Sequence, residues 1–196
     1  FSLETTKYPE VLKDGNYLTF AEYEELEAYA FDRCIDLVPN ENGFGHMQDW
    51  LMLDKFKHLS EVNELFEMWG SKRTSSTLDV TNPESIELVK NLYDDFLPHT
   101  KSKYFNMNFD EPFELGHGKS KEYVEKVGIG NAFVDYFLKL YEHVKTYDKI
   151  PMIWGDVLLK HPDAIKRLPK DVIFIDWGYN VDYPYHKNLK LLSDLD

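Results

Sequence analysis

The sequence predicts an α/β fold in which strands and helices alternate as part of a (β/α)8 TIM barrel. Short runs of β-branched and aromatic residues alternate with longer segments of helical period, as in βαβ units around a parallel sheet. Polar or aromatic residues follow each of these runs. The chain has 196 residues, so we expect about five of the eight units of a complete barrel.

The first predicted unit is a helix followed by a strand. Thr19 and Glu22 have the spacing of a capping box, which predicts a helix that ends near Arg33. A strand at Ile35–Val38 should follow and stop at Pro39. The other predicted elements are a short helix at 47–53, a loop at 70–79, helices at 84–97, 131–146 and 163–167, and strands at 104–109, 150–154 and 172–175.

The residues after the strands separate two possible architectures, because periodicity alone also fits an open doubly wound sheet. In a barrel the carboxyl ends of all strands converge on one face, where substrate sites are built. The residues at these ends are Asn40–His46, Asp110 with Glu111, Trp154 with Asp156, and Trp177 with Tyr179. We therefore predict one catalytic barrel domain over residues 1–196, as a fragment truncated at both ends.

Composition limits the classes of partner. A net charge of −13 and a pI near 4.9 oppose binding to nucleic acid or to anionic lipid, which need clustered basic residues. No apolar stretch reaches the ~20 residues of a membrane span. Cys34 is the single cysteine and lies in an apolar run, so we expect a buried thiol. A cytoplasmic location is expected, and an extracellular one stays open because the parent's N-terminus is absent.

Asp110 and Glu111 are the first candidates for catalysis. Two adjacent carboxylates at a strand end repel each other, which costs stability unless they are used. Successive strand residues point to opposite faces, so both reach one substrate only where the strand has turned, and Pro112 helps that turn. The competing interpretation is a solvated loop that happens to carry two acids.

Four ordered segments carry a resemblance to a known family. The stretch 105–120, which contains Asp110-Glu111-Pro112, resembles the catalytic strand and loop of glycoside hydrolase family 20, the β-N-acetylhexosaminidases. It is most similar to the small intracellular-type N-acetylglucosaminidases. Segments 37–47, 152–156 and 176–179 match in the same order. The chain departs from the commonest family pattern, a His and then Gly residues before the Asp, at Asn106, Asn108 and Phe109.

The resemblance implies a substrate-assisted retaining glycosidase that removes terminal β-linked N-acetylglucosamine or N-acetylgalactosamine from a glycan or glycoconjugate. Glu111 would be the acid and base, with a raised pKa, and Asp110 would orient the acetamido group. The implied sugar-binding residues are His46, Trp154, Asp156, Trp177 and Tyr179. His46 would tune the acid together with an acidic partner such as Glu4. The plainer alternatives are a structural histidine, core tryptophans and solvent-facing loop residues.

Other kinds of site and function fit the sequence less well. Residues 116–120 end like a phosphate-binding loop, but Phe113 occupies the position of its first glycine. The histidines offer no metal-ligand spacing, so neither a metal nor another cofactor is expected. A carbohydrate-binding protein that has lost catalysis at Asn106, Asn108 and Phe109, and a barrel glycosidase with two separated carboxylates, remain alternatives. The 196-residue fragment alone is expected to be inactive, and its oligomeric state is left open.

Overall fold

The computed structural model describes residues 2–12 and 16–193, which form a mixed α/β structure. The helices are α1 (Phe20–Phe31), α2 (Gln48–Leu51), α3 (Pro83–Phe96), α4 (Lys121–Val127), α5 (Ile129–Lys145), α6 (Pro162–Ile165) and α7 (Tyr185–Ser193). The strands are β1 (Ser2–Leu3), β2 (Tyr17–Leu18), β3 (Phe66–Met68), β4 (Ser71–Arg73), β5 (Tyr104–Asn106), β6 (Ile150–Trp154) and β7 (Ile173–Ile175). Within these residues, none of the helices has the length and apolar character that crossing a membrane demands.

A parallel sheet positions the candidate site. Its strand order is β5-β6-β7, and Tyr104 pairs with Ile150 while Trp154 pairs with Ile175. On the outer side of β5, Asn40 forms a single parallel bridge with Asn106. The carboxyl ends of all these segments therefore meet at one edge of the sheet. The predicted α/β class and the predicted bounds of β6 are confirmed.

The helices begin and pack as their sequences indicate. The Thr19 and Glu22 capping box is present at the start of α1. Asn82 caps α3 by accepting the N–H of Glu84 at 3.0 Å, and Pro83 takes the first helical position. The apolar faces of α3 and α5 are buried, and the two helices contact each other. Burial of these amphipathic faces is the main source of helix stability here.

The central core is aromatic, and Phe109 lies at its middle. This ring is fully buried and has its centroid 5.4 to 5.8 Å from the rings of Phe44, Phe133, Tyr136 and Phe137. Burying such a side chain stabilises the fold by about 1.5–3 kcal/mol. The residue directly before Asp110 is therefore anchored in the core.

Two predictions near the end of α1 are wrong. No strand forms at Ile35–Val38, where only the bridge at Asn40 joins the sheet, because Pro39 has no N–H to donate to a ladder. Cys34 is exposed instead of buried. It lies in the turn that ends α1, with a φ of 58°, and its N–H donates to the carbonyl oxygen of Phe31.

The predicted loop at 70–79 is partly wrong too. Ser71–Arg73 pairs with Phe66–Met68 as an antiparallel hairpin, in which Phe66 lies opposite Arg73. Trp69 and Gly70 form the two-residue turn, and both have positive φ, at 52° and 73°. This backbone matches the twist of paired strands, as hairpin turns of this length require. The polar composition of the second strand hid it from the sequence analysis.

Candidate active site

The sheet brings the predicted site residues to one edge. The backbone N–H of Trp154 donates to the carbonyl oxygen of Asn108 at 2.9 Å, and that of Gly155 donates to Ile175 at 3.0 Å. These bonds continue the ladder past the end of β5 and hold three strand ends together. The convergence predicted from the strand-end residues is therefore present in the described structure.

A left-handed backbone turns both carboxylates toward one site. Asn108, Phe109 and Glu111 have φ values of 63°, 69° and 48°, which side chains other than glycine adopt at a cost of roughly 1–2 kcal/mol each. The turn therefore begins two residues before Asp110, whereas the sequence analysis assigned it to Pro112. Asn108 and Phe109 are the same positions at which the resemblance leads one to expect glycines. Burial of the Phe109 ring offsets the strain.

Asp110, Glu111 and His46 form a close group. His46 Nε2 lies 3.1 Å from Asp110 Oδ2 and 3.6 Å from Glu111 Oε2. His46 reaches this position because Gly45 lies against the backbone of Asp110 and Glu111, where a Cβ would overlap the carbonyl oxygen of Asp110. Sixty-four positions separate His46 from Asp110 in the sequence, so only the fold reveals their contact.

The electrostatics of this group raise the pKa of Glu111. Burial raises the pKa of Glu111, the nearby positive charge of His46 opposes that rise, and the carboxylates of Asp110 and Asp156 add to it. The hydrogen bond to Asp110 raises the pKa of His46, although burial acts in the opposite direction. Two neighbouring acids thus have unlike environments, as a general acid and its partner need.

Asp156 contacts the backbone of Glu111. Its Oδ2 accepts the backbone N–H of Glu111 at 3.3 Å, and its Oδ1 is buried without a partner among the described residues. Burial raises the pKa of Asp156, the hydrogen bond from the Glu111 N–H opposes that rise, and the nearby carboxylate of Asp110 adds to it. The structure thus connects Asp156 to the site through the backbone of Glu111, and the sugar-binding role that the resemblance implied for Asp156 stays a prediction.

Asn108 is a site residue that the sequence analysis treated only as a departure from the family. Its Oδ1 accepts from Asn40 Nδ2 at 2.7 Å and from the Trp154 indole at 2.9 Å, and its amide donates to Asn42. One side chain therefore joins three segments and fixes the plane of the Trp154 ring. The strand predicted at 104–109 ends at Asn106, so Asn108 lies just beyond it. That position, two residues before Asp110, was the available signal.

An open cavity of about 550 Å³ lies over the strand ends. Its lining includes Asn40, His46, Asn108, Asp110, Glu111, Trp154, Asp176, Trp177, Tyr179 and Tyr185. The ring of Tyr179 lies 5.5 Å from that of Trp177 and is 93% exposed. Every predicted site residue except Asp156 lines this cavity. Glu4, the suggested partner of His46, instead accepts the N–H of Phe20 at 2.9 Å.

The loop that resembled a phosphate-binding sequence is held by a protein carboxylate. Glu61 is fully buried and accepts the N–H groups of Gly118 and Ser120 and the Ser120 hydroxyl. A Cβ at Gly118 would overlap the carbonyl oxygen of Glu61, which explains the glycine. These donors already bind an internal carboxyl group, so the loop stabilises the segment after the candidate acids.

His46, Asp110 and Glu111 also have the spacing of a metal site. One ligand atom from each of His46, Asp110 and Glu111 lies within 4.8 Å of the other two. Such groups are common in proteins without a metal, and here the imidazole already bonds to Asp110 Oδ2. The expectation that no metal is needed rested on local spacing along the sequence, which does not detect ligands that only the fold brings together.

Comparison with known proteins gives a consistent result. The family model "Glycosyl hydrolase family 20, catalytic domain" matches residues 1–190. Lacto-N-biosidase from Bifidobacterium bifidum is 26% identical over 172 residues, which are 83% of this chain and 15% of that protein. Hexosaminidase D from Bos taurus is 25% identical over 184 residues, which are 88% of this chain and 50% of that protein.

Solved structures share the fold. A chitobiase from Flavobacterium johnsoniae aligns with a TM-score of 0.78 at 23% identity, covering 99% of this chain and 30% of that one. A Vibrio harveyi exo-β-N-acetylglucosaminidase in complex with N-acetylglucosamine aligns with a TM-score of 0.72 at 15% identity, covering 99% and 33%. The chain thus spans half or less of the length of these relatives. The fold is of the TIM-barrel type, and this chain belongs to glycosyl hydrolase family 20.

Proposed function

We propose that the protein is a glycoside hydrolase that removes terminal β-linked N-acetylglucosamine or N-acetylgalactosamine with retention of configuration. One observation carries the proposal: Asp110 Oδ1 is buried beside the sugar-sized cavity and has no hydrogen-bond partner among the described residues. A buried carboxylate oxygen without a donor is costly. The acetamido N–H of a bound sugar supplies that donor.

The reaction then uses the acetamido group of the substrate as its nucleophile. Its carbonyl oxygen attacks the anomeric carbon while the glycosidic C–O bond breaks, and Glu111 gives its proton to the leaving oxygen. The cyclic oxazolinium formed has a positive charge, which the adjacent carboxylate of Asp110 stabilises. Glu111 next takes a proton from water, and the water oxygen attacks the anomeric carbon. This attack breaks the bond between that carbon and the acetamido oxygen and so opens the oxazolinium ring. The sugar leaves with its β configuration retained.

His46 and Asp156 act on the two acids from behind. His46 bonds Asp110 Oδ2 at 3.1 Å, which leaves Oδ1, without a partner among the described residues, to accept from the ligand. Asp156 fixes the backbone of Glu111 and adds negative charge that supports a protonated acid. His46 is therefore assigned a positioning role and a tuning role. The site residues Trp154, Trp177 and Tyr179 would pack against the C–H faces of the sugar ring and close its pocket.

We also infer that residues 1–196 are one part of a single catalytic barrel, about five of its eight units. The chain matches half of bovine hexosaminidase D, so strands outside it would complete the sugar pocket. A glycan or glycoconjugate that ends in an N-acetylhexosamine is the proposed substrate. A cytoplasmic location stays a proposal, consistent with the single free thiol of Cys34.

The test compares wild type and Asp110→Asn in the product of the complete gene. We expect turnover of 4-nitrophenyl β-N-acetylglucosaminide but not of the matching β-glucoside, which lacks the acetamido nucleophile. A thiazoline that mimics the cyclic intermediate should inhibit. Asp110→Asn should lower kcat/KM on N-acetylhexosaminides on the order of 10²–10³-fold, because it removes a charge aimed at the intermediate.

The matched control is Asp163→Asn, since that carboxylate lies exposed on α6. It should leave turnover unchanged. Full activity in Asp110→Asn would contradict the assigned role. Sugar binding by the wild type without any hydrolysis would favour the carbohydrate-binding alternative instead.

A further inference from the structure

A second cavity lies on the other side of Glu111. It has a volume of about 360 Å³, and its lining includes both His46 and Glu111. The rest of its wall comes mainly from the β3–β4 hairpin and from the residue after Pro112. These wall residues include Phe66, Met68, Trp69, Arg73 and Phe113. The cavity therefore joins the candidate acid to a wall of aromatic, thioether and guanidinium groups.

Trp69 is the most exposed aromatic residue of this wall. It lies at the tip of the hairpin, is 69% exposed and has a φ of 52°, a costly conformation for a bulky residue. Its ring is nevertheless held: the Phe113 ring meets it edge-on at 5.0 Å, and the Arg73 guanidinium lies 5.3 Å from its centroid. An aromatic face fixed by two neighbours and open to solvent is suited to bind a planar or ring-shaped ligand.

The chemistry of Glu111 identifies which part of the substrate enters this cavity. An acid that protonates a glycosidic oxygen contacts the atom between the terminal sugar and the leaving group. Glu111 lines both the strand-end cavity and the hairpin cavity. His46 lines a third cavity, toward Glu4, but Glu111 does not. With the terminal sugar over Trp154 and Trp177, the hairpin cavity is the place for the leaving group.

We propose that the β3–β4 hairpin forms a binding site for a saccharide leaving group, with Trp69 as the stacking platform for its first sugar ring. This inference rests on the proposed function. A pyranose ring packs its C–H face on an indole, and the guanidinium of Arg73 donates hydrogen bonds to sugar hydroxyls. Discrimination among aglycones would depend on the hairpin, and cleavage chemistry on the strand ends.

The experiment compares two glycosides with alcohol leaving groups as substrates for the product of the complete gene. One is a disaccharide with a terminal N-acetylglucosamine, and the other is methyl β-N-acetylglucosaminide; both need the proton of Glu111, but only the first presents a second ring. Trp69→Ala should lower kcat/KM for the disaccharide by about tenfold, mainly through KM, and leave the methyl glycoside within about twofold. Trp69→Phe should restore most of the disaccharide activity.

Tyr29→Ala is the matched control. Tyr29 is also an exposed aromatic residue, 59% exposed, with the Arg33 guanidinium 3.4 Å from its ring centroid, but it lies on α1. This substitution should leave kcat/KM unchanged for both glycosides. Equal loss on both glycosides in Trp69→Ala, or no loss on either, overturns the hairpin site and leaves the proposed function standing. A wild type that cleaves neither glycoside overturns both.

Discussion

The two sides of Glu111 are built in different ways. On the sugar side, the strand ends are joined by backbone hydrogen bonds, and the Asn108 amide ties three segments together. On the hairpin side, two three-residue strands present Trp69 to solvent, and ring and cation contacts hold it. Catalytic groups must hold their positions to within about 0.5 Å, whereas a leaving-group site tolerates variation. The difference suggests that specificity can change on the hairpin while the acid stays in place.

One short segment connects the two sides. Phe113 contacts Trp69, while the buried carboxylate of Glu114 accepts the Ser76 N–H at 2.8 Å and the hydroxyl of Thr77. The chain after the acid pair is thereby tied to the chain that follows the hairpin. A large displacement of the hairpin would pull on residues two and three positions beyond Glu111. The sides are separable for side-chain truncations, but not for deletion of the hairpin.

The largest expected effect comes from removing the proton donor, Glu111, which borders both cavities. Glu111→Gln keeps the size of the side chain and removes its proton, so turnover of a disaccharide should fall about 10²–10⁴-fold. A glycoside with a good leaving group, such as 4-nitrophenyl, needs less protonation and should be spared much more. The ratio of kcat/KM on the two substrates measures this.

The control for that measurement is Glu87→Gln, a change of the same kind at an exposed position on α3. It should leave the ratio unchanged. If Glu111→Gln lowers kcat/KM equally on both substrates, Glu111 is not the acid. The hairpin cavity would then no longer mark the leaving-group side.

A second prediction tests the rigidity of the sugar side through Asn108. Asn108→Ala removes three hydrogen bonds and should cost about 1–3 kcal/mol, seen in chemical denaturation, together with about 10- to 100-fold in kcat/KM. Asn108→Gly removes the same bonds but relieves the φ of 63°. The glycine variant should therefore be more stable than the alanine variant by roughly 1 kcal/mol, with a similar loss of activity.

That pair of variants separates strain from hydrogen bonding. Wild-type activity in both would show that Trp154 does not need the Asn108 amide to be oriented. The same variants should leave the preference for a disaccharide over the methyl glycoside unchanged, since the Trp69 platform lies on the other side of Glu111.

The sequence analysis was most successful where local patterns decide the structure. Capping residues and apolar periodicity located α1, α3 and α5, and the β-branched run at 150–154 located β6. Asp110 and Glu111 were expected to lie near Trp154 and Trp177 because strand ends in a parallel sheet converge, and all four line one cavity. These features depend on neighbours a few residues apart.

What the sequence analysis missed depends on distant contacts. The hairpin at Trp69 has a polar second strand, and its turn residues are not both of the usual type. Asn108 looked like a defect because its left-handed backbone and its three partners are visible only in three dimensions. Burial of Cys34 was predicted from the apolar residues around it, but the turn after α1 leaves Cys34 exposed. Asp156 was placed at the site, but its contact with the backbone of Glu111 was not foreseen.

The smallest expected effect concerns the tuning of the acid by His46. In the proposed reaction Glu111 starts in its protonated form, so kcat/KM should fall as pH rises through the pKa of Glu111. The positive charge of His46 lowers the pKa of Glu111. His46→Gln removes that charge and should move the alkaline limb of the profile to higher pH, while kcat/KM at the optimum falls within about tenfold. His58→Gln, which alters an exposed histidine paired with Glu84, should leave the limb where it is. A limb that stays in place or moves to lower pH in His46→Gln would show that the imidazole does not set the proton affinity of Glu111, and its contact with Asp110 would then be its main role.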